Sequence, residues 1–291
     1  MSRKADRTAE QLEAAEPLPV PVYDDHTHLN LDDVPEWEGD DLPGLAEVTA
    51  ALDAAEAVGV AGVVQVGTNL ADSRWSAALA ARDPRVLAAV AIHPNDAPAL
   101  AELGVLDDAL AELDRLAAQP RVRALGETGL DFFRTETDAG IAAQVASFEG
   151  HIEIAKRHGL AVQIHDREAH DAVLHLLERV GPAERTVLHC FSGDADFARR
   201  AVEAGCHLSF AGTVTFKNAA YLRDALQVTP LDRILVETDA PFLTPHPFRG
   251  RPNSPAMIPV TLRFMADVLG MDVAELGRQV AVNTEAVYGQ W

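Results

Sequence analysis

The stretch PVPVYDDHTH, residues 19–28, places two histidines directly after a short apolar run. In a β-strand, side chains two residues apart point to the same side, so His26 and His28 would converge on one point. Two neutral imidazoles at this spacing offer two nitrogen ligands to one divalent metal ion. Residues 19–28 therefore predict a first strand that ends in a metal site.

Seven more short apolar or β-branched runs follow, with helical Ala/Leu periodicity between them. The predicted strands are Val20–Asp24, Gly62–Val66, Val86–Ile92, Val122–Gly126, Ala161–His165, Thr186–His189, His207–Phe210 and Ile234–Glu237. Strands separated by helices imply parallel pairing through right-handed crossovers. Eight such units close into a (β/α)8 TIM barrel, an α/β fold. An open doubly wound sheet would need a glycine-rich phosphate loop after the first strand, and the sequence has none there.

Length and composition predict one domain of this type. The chain has 291 residues, of which 48% are hydrophobic. We expect residues 1–17 to be a flexible acidic tail and residues 18–291 to be a single TIM-barrel domain. Two cysteines give no disulfide framework, which suits a reducing cytosol. We see neither a signal peptide nor a membrane-length apolar run and expect a cytoplasmic protein with no membrane partner.

The net charge limits the class of partner. There are 24 basic and 45 acidic residues, which gives a net charge of −21. Such a surface repels polyanions at long range and argues against non-specific nucleic-acid binding over the whole protein. It does not exclude a local cationic cleft.

Possible metal ligands recur at the carboxyl ends of the predicted strands, where barrel enzymes carry their chemistry. These residues are His26, His28, Glu127, His165, His189 and Asp239. Four other histidines, His151, His158, His170 and His175, lie on predicted helices and do not share this placement, and we interpret them as solvated or helix-terminal.

Six such groups suffice for two divalent ions. We assign His26, His28 and Asp239 to one ion and His165 and His189 to the other, with Glu127 bridging them through its two oxygens. Nitrogen-rich sites suit Zn or Mn, while the carboxylate content leaves Mg open. Two such ions activate a water and neutralise phosphate oxygens. Asp239 is the natural proton acceptor for that water.

Longer motifs extend this pattern over nearly the whole chain from Tyr23 to Tyr288. They are DDHTHLN at Asp24–Asn30, AIHPN at Ala91–Asn95, ALGETGLDFF at Ala124–Phe133, AVQIHDREA at Ala161–Ala169, VLHCFSG at Val187–Gly193, AGTVTFKNA at Ala211–Ala219, ILVETDAPFL at Ile234–Leu243 and RGRPNSP at Arg249–Pro255. In these motifs, and in their order and spacing, the chain resembles the TatD-type metal-dependent deoxyribonucleases of the amidohydrolase superfamily.

The resemblance implies a (β/α)8 metal-dependent hydrolase. It implies that the six residues named above are the metal ligands. It also implies hydrolysis of DNA phosphodiester bonds, often by exonucleolytic trimming of single strands or ends.

Three features depart from the family pattern. Thr27 replaces a cysteine between the two histidines of the family's first motif and faces away from the metals. Asn30 replaces an aspartate of the family's first motif, which removes a charge near the site. The loop Leu31–Leu42 carries six acidic residues around Trp37. We favour a solvated loop that points outward. The alternative is a loop that restricts the substrate to short ends or small phosphates, with Trp37 stacking on a base.

Several polar residues near the strand ends are candidates for binding the substrate. His93 could donate to a phosphate oxygen or serve only as a structural hydrogen-bonding group. Lys217, Arg249 and Arg251 could contact phosphate, as could Arg134 and Arg167, although any single cation is more often solvated. We expect Asp131 to orient a metal-bound histidine and Glu237 to support the site from below.

Three functions compete. The first is a dinuclear phosphodiesterase that acts on DNA. The second is an amidohydrolase for a small amide, ester or phosphoester. Such enzymes often bridge their metals with a carboxylated lysine on strand four, and the glutamate Glu127 at that place favours the first. A non-catalytic barrel is the least favoured, because no ligand is lost.

Overall fold

The computed structural model describes residues 16–29, 34–35, 37 and 42–291. Eight strands form one parallel sheet in sequence order, which confirms the (β/α)8 barrel. The strands are β1 (Val22–Thr27), β2 (Val60–Val66), β3 (Val86–Val90), β4 (Val122–Asp131), β5 (Ala161–Arg167), β6 (Thr186–Leu188), β7 (Cys206–Phe210) and β8 (Ile234–Val236).

Helices surround the strands, and several begin at a side-chain cap. Asn69, Thr137, Asp194 and Asp272 each accept a hydrogen bond from a backbone N–H group in the first turn of the helix that follows. The helices are α1 (Leu45–Glu56), α2 (Leu70–Ala80), α3 (Ala97–Glu102), α4 (Leu106–Ala117), α5 (Asp138–His158), α6 (His170–Val180), α7 (Ala195–Glu203), α8 (Ala220–Val228), α9 (Ile258–Leu269) and α10 (Val273–Tyr288), with 3₁₀ turns at Gly212–Thr215, Leu231–Arg233 and Pro255–Met257.

The first and last strands meet at their carboxyl ends. Thr27 and Ala240 form a parallel bridge. The N–H of His28 donates to the carbonyl of Ala240 at 2.8 Å, and the N–H of Asp239 donates to the carbonyl of His26 at 3.0 Å. This closure brings Asp239, three residues after the end of β8, against His26 of β1 and against His28, which follows β1.

The half of the barrel interior nearer the amino ends of the strands is apolar, and residues near the C-terminus close that end. The interior cluster consists of Val64, Val66, Leu87, Ala89, Ala124, Ala161, Val187 and Leu235, together with Val287 and Tyr288 of α10. Trp291 covers the same end, since its ring stacks on Tyr23 at 4.0 Å and its Nε1 donates to the carbonyl of Arg85. The polar carboxyl end is therefore the open end.

The predicted carboxyl ends of several strands need correction. Strand β4 does not end at Gly126 but continues to Asp131. Its pairing with β5 shifts register between Leu125 and Thr128. A bulge of this kind changes the direction of a side chain beside a site, and here it includes Glu127. In contrast, β6 ends at Leu188 and β8 at Val236, so His189 and Glu237 follow their strands.

Two predicted segments lie outside the described residues, wholly or in large part. They are the acidic tail, of which only Glu16 and Pro17 are described, and the loop Leu31–Leu42 together with Asn30. Within that loop Trp37 is described, and it is partly buried against the core. This position favours local packing of Trp37 over an open stacking surface.

The interpretation of His151 as a solvated or helix-terminal residue was wrong. The residue lies inside α5 and is fully buried. Its Nε2 accepts a hydrogen bond from the N–H of Ile92 at 3.0 Å, and its Nδ1 donates to the carbonyl of Ser147 at 2.7 Å. Both ring nitrogens are thus satisfied in the neutral form, and burial lowers the pKa of His151 to about 4.

We expect His151 to make stability depend on pH. Its pKa is about 4 in the folded protein and about 6.5 in an unfolded chain. The unfolded chain therefore binds the extra proton first, and stability falls as the pH drops from 6.5 toward 4. Between pH 7 and pH 5 this residue should cost about 2 kcal/mol.

Urea unfolding at both pH values tests this expectation. The His151→Gln variant should lose less stability than the unchanged protein over that interval. The exposed residue His175 provides a control, since His175→Gln should leave the pH dependence unaltered. Equal pH dependence in the unchanged protein and in His151→Gln would contradict the account.

Candidate metal centre

The six predicted ligands converge at the carboxyl end of the barrel. His26, His28, Glu127 and His189 are at most 6% exposed, whereas His165 and Asp239 are partly exposed on the rim. Burying this many titratable groups together is unfavourable unless they are paired or bind a cation. The arrangement therefore favours the binding of a cation.

The first group consists of His26, His28 and Asp239. The Nε2 atoms of the two histidines are 3.2 Å apart. Asp239 Oδ1 lies 3.6 Å from His28 Nε2 and 4.0 Å from His26 Nε2. Two metal–nitrogen bonds of about 2.0–2.1 Å at a tetrahedral angle would separate the nitrogens by about 3.3 Å. The donor set and its spacing fit one divalent ion.

Glu127 has one oxygen on each side of the centre. Its Oε2 lies 3.8 Å from His26 Nε2 and 3.7 Å from His28 Nε2. Its Oε1 lies 2.5 Å from His165 Nδ1 and 3.0 Å from His189 Nε2. This is the position that a bridging carboxylate would take.

His165 and His189, the ligands predicted for the second ion, are not clearly separated from the ligands of the first. Glu127, His165 and His93 present ligand atoms within 4.8 Å of one another, and so do His26, Glu127 and His189. The rings of His26 and His189 stack at 3.8 Å between their centroids. His189 thus lies between the two groups, while His93 lies beside His165.

Hydrogen bonds to the far ring nitrogens decide which histidines present a lone pair. His28 Nδ1 lies 3.0 Å from the carbonyl of Val66, and His189 Nδ1 lies 3.2 Å from the carboxylate of Glu237. In the neutral form both Nδ1 atoms must carry the proton, which leaves Nε2 free to bind a metal.

His93 has the opposite tautomer. Its Nδ1 accepts a hydrogen bond from the N–H of Asn95 at 3.1 Å, so the proton of the neutral ring is on Nε2. This N–H group lies 3.4 Å from Glu127 Oε1. The geometry suits a hydrogen-bond donor toward the centre rather than a ligand.

The charges of the centre are strongly coupled. Burial alone would lower the pKa of His165, but hydrogen bonds to Asp131 and Glu127 outweigh it and raise that pKa to about 9. Burial would raise the pKa of Glu127, yet His189, His93 and His165 hold it well below its usual value. A metal ion would replace protons held on these histidines, so we expect metal affinity to rise with pH.

Asp131 lies where an orienting carboxylate was predicted. Its Oδ2 is 3.3 Å from His165 Nε2 and also accepts from the side-chain amide of Asn95. Its Oδ1 accepts from the N–H of Arg134 at 2.8 Å. Asp131 is thereby fixed on two sides while it contacts the histidine.

A polar side chain that the sequence pattern did not predict, Gln163, lies beneath His26. The side-chain Nε2 of Gln163 donates to the carbonyl of Asp25 at 2.6 Å and to the hydroxyl of Tyr288 at 2.7 Å. Tyr288 in turn donates to the carboxylate of Asp25 at 3.0 Å. These bonds fix the amide of Gln163, so its Oε1 is turned away from Asp25 and Tyr288.

We infer that this oxygen faces the ring of His26. His26 Nδ1 and Gln163 Oε1 are both buried without a hydrogen bond of good geometry, yet Gln163 still acts on His26 by raising its pKa against the effect of burial. The contact is therefore a loose one that favours a proton on Nδ1. Gln163 lies two residues before His165, and this alternation along β5 was the signal that could have identified it.

We expect Gln163→Leu to weaken metal binding by about 10- to 100-fold, because it removes the acceptor that fixes the His26 tautomer. Titration of the apoprotein with Co²⁺ against a chromophoric chelator would measure this loss. Asn283→Leu is the matched control, since this buried amide donates to the carbonyls of Leu231 and Ile234 at the other end of the barrel. Equal affinities in the two variants would contradict the role of Gln163.

The predicted phosphate-binding cations lie on loops of the same rim. Lys217 and Arg249 are exposed, whereas Arg251 is partly buried. The guanidinium of Arg249 lies 3.9 Å from the ring centroid of Phe216. Arg167 lies 4.0 Å from the ring centroid of Phe133.

Comparison with known proteins identifies the family. The model of the TatD related DNase family matches residues 23–289. The chain belongs to the TatD family. A TatD protein of Mycobacterium tuberculosis, named an uncharacterized metal-dependent hydrolase, is 42% identical over 271 residues, which cover 92% of this chain and 98% of that protein.

Two further TatD relatives agree with this assignment. The 3'-5' ssDNA/RNA exonuclease TatD of Erwinia billingiae is 33% identical over 241 residues, which cover 80% of this chain and 90% of that protein. The crystal structure of YJJV, a TatD homolog from Escherichia coli, has a TM-score of 0.79 and 27% identity, and the match covers 92% of this chain and 97% of that chain.

The TatD assignment makes the chain a metal-dependent hydrolase. Among the residues that the structure describes, no helix combines the length and the apolar character needed to cross a membrane.

Proposed function

We propose that this TatD protein hydrolyses phosphodiester bonds of single-stranded DNA from the 3' end, using two divalent ions. The observation that carries the proposal is the placement of Glu127, with one carboxylate oxygen toward His26 and His28 and the other toward His165 and His189. A single-ion site would not need a carboxylate between two histidine groups. The named activity of the Erwinia billingiae relative supports the substrate.

The ligands proposed for the ions are His26, His28, Glu127, His165, His189 and Asp239, and Zn, Mn or Mg would suit them. When bound, two such ions would lower the pKa of a shared water and neutralise phosphate oxygens. The protein must supply a proton acceptor, a donor toward the phosphate, and cations that hold the chain.

Asp239 is the proposed proton acceptor. Its Oδ1 faces His28 Nε2 at 3.6 Å, and its side chain is 14% exposed, so the side chain both faces the centre and is partly open to solvent. The backbone at Asp239 has a φ of 52°. This left-handed conformation is uncommon outside glycine, asparagine and aspartate, and such strain often occurs at functional sites.

His93 is the proposed donor to the phosphate. Its Nε2 carries the proton and lies within 3.4 Å of the proposed bridging oxygen of Glu127. Lys217, Arg249 and Arg251 are proposed to contact neighbouring phosphates. Since the whole protein carries a charge of −21, these cations would act locally rather than by long-range attraction.

The experiment uses single-stranded DNA labelled at either the 5' or the 3' end. Metal-free protein is supplied separately with Mg²⁺, Mn²⁺ or Zn²⁺, with a chelator control and an RNA strand of the same sequence. We expect metal-dependent loss of the 3' label in one step and progressive shortening of the 5'-labelled strand. If the protein binds metal but leaves both strands intact while it hydrolyses a small ester or amide, the DNA substrate is wrong.

A further inference from the structure

Two phenylalanines are exposed on loops that carry residues of the metal centre. All ten phenylalanines lie in the described part of the chain, and only Phe133 and Phe242 are exposed, at 52% and 53%. Phe133 lies two residues after Asp131, and Phe242 lies three residues after Asp239. An exposed aromatic ring lacks the stabilisation that burial would give. Two such rings on one rim therefore indicate a binding site for a ligand that covers them.

Both rings are carried by well-anchored backbone. The N–H of Phe242 donates to the carbonyl of Asp239 at 2.9 Å, and its own carbonyl accepts from the side chain of Asn253 at 2.6 Å. On the other loop, the N–H of Phe132 donates to the carbonyl of Arg167 at 3.0 Å. These two loops therefore need little further ordering when a ligand binds. The entropic cost of binding is smaller as a result, which favours affinity.

Arg167 covers one face of Phe133. Its guanidinium lies 4.0 Å from the ring centroid, a cation–π contact that holds the ring from one side. The high exposure of Phe133 leaves the other face to solvent. An aromatic ring next to a cation is the combination by which proteins hold single-stranded nucleic acid, the ring for a base and the cation for the backbone.

The loops that carry Phe133 and Phe242 lie on opposite sides of the barrel opening. Phe133 follows β4 and Phe242 follows β8, and strands four positions apart in a ring of eight face each other across the barrel. Glu127 lies between the two histidine groups. A strand whose scissile phosphate is held at Glu127 would extend toward one phenylalanine on each side.

We propose that Phe133 and Phe242 are stacking platforms for the two bases that flank the scissile phosphate. The proposal rests on the proposed function. Bases in a duplex are already stacked and cannot lie on these rings, so the platforms would select single strands. Stacking also provides affinity that a net charge of −21 does not oppose.

The test combines protein variants with abasic DNA. Phe133→Ala and Phe242→Ala are assayed as metal-loaded full-length protein on a labelled single strand, and on strands that lack the base on one side of the scissile phosphate. Each variant should raise KM by about 5- to 100-fold on the normal strand. Each should cause no further loss on the strand that lacks its own partner base. Phe133→Leu and Phe242→Leu should raise KM as much as the alanine substitutions do. Phe133→Trp and Phe242→Trp should keep the KM of the unchanged protein.

Leu231→Ala is the matched control. Leu231 is also an exposed apolar side chain, 41% exposed, but it precedes β8 at the opposite end of the barrel. This variant should keep the KM of the unchanged protein on every strand. Metal content and thermal melting of all variants verify that the centre and the fold are intact.

Failure of this proposal differs from failure of the proposed function. If the unchanged protein trims DNA and both alanine variants trim normal and abasic strands equally well, the platforms are overturned while the nuclease stands. If the unchanged protein trims no DNA, the nuclease fails. In that case, fluorescence anisotropy of a labelled strand bound to metal-loaded protein tests whether the two phenylalanines stack on bases. Weaker binding in the alanine variants supports stacking, and unaltered binding overturns it.

Discussion

Asp239→Asn is expected to lower kcat by about 10²- to 10⁴-fold, the usual contribution of a general base. The amide can no longer accept the proton of the attacking water, and it is a weaker metal ligand than a carboxylate. The substitution is nearly isosteric, and asparagine tolerates the φ of 52°. The backbone hydrogen bond from residue 239 to His26 also remains. We therefore expect the variant to fold normally.

Initial rates on single-stranded DNA, together with the metal content of each sample, would measure this loss. Asp232→Asn is the control, because Asp232 is exposed in the 3₁₀ turn before β8 and lies at the far end of the barrel. An unaltered kcat in Asp239→Asn with full metal occupancy would contradict the assigned role.

Gly129→Ala is expected to destabilise the protein by about 4 kcal/mol and to weaken metal binding. Gly129 has a φ of 143°, and a Cβ at this position would lie 2.1 Å from the carbonyl oxygen of His165. The added methyl group meets rigid backbone of β5 and strains its own residue, two effects of about 1–3 kcal/mol each. A shift that relieves the clash moves β4, which carries Glu127, or β5, which carries His165, and both residues are proposed metal ligands.

Urea unfolding of the metal-free protein would measure the loss of stability. Gly104→Ala separates the two causes, since Gly104 has a φ of 71° but open space where its Cβ would lie. That control should lose only about 1 kcal/mol. If Gly129→Ala is as stable as Gly104→Ala, the close approach of β4 to β5 does not constrain the centre.

Much of the fold followed from local sequence. The eight apolar runs separated by helical stretches were sufficient for the barrel, because right-handed crossovers leave few other topologies. The convergence of His26, His28 and Asp239 followed from the same topology, since closing the barrel places the segment that follows β8 against the carboxyl end of β1.

The finer geometry of the centre depends on contacts that the sequence pattern does not contain. The position of Glu127 depends on a bulge in β4, which strict alternation of side chains cannot predict. The donor character of His93 depends on the backbone N–H of Asn95, two residues further on. The amide of Gln163 is held by the hydroxyl of Tyr288 of α10, a contact across 125 residues. Such long-range contacts exist only once the barrel has closed.

The most direct test of the two-ion account is a metal titration of the apoprotein. Mn²⁺ is added in increments, the ions bound per chain are counted by elemental analysis, and the rate on single-stranded DNA is measured in the same samples. We expect two ions per chain at saturation, with most of the activity appearing as the second ion binds. Full activity with one ion per chain, or without any metal, would contradict the account.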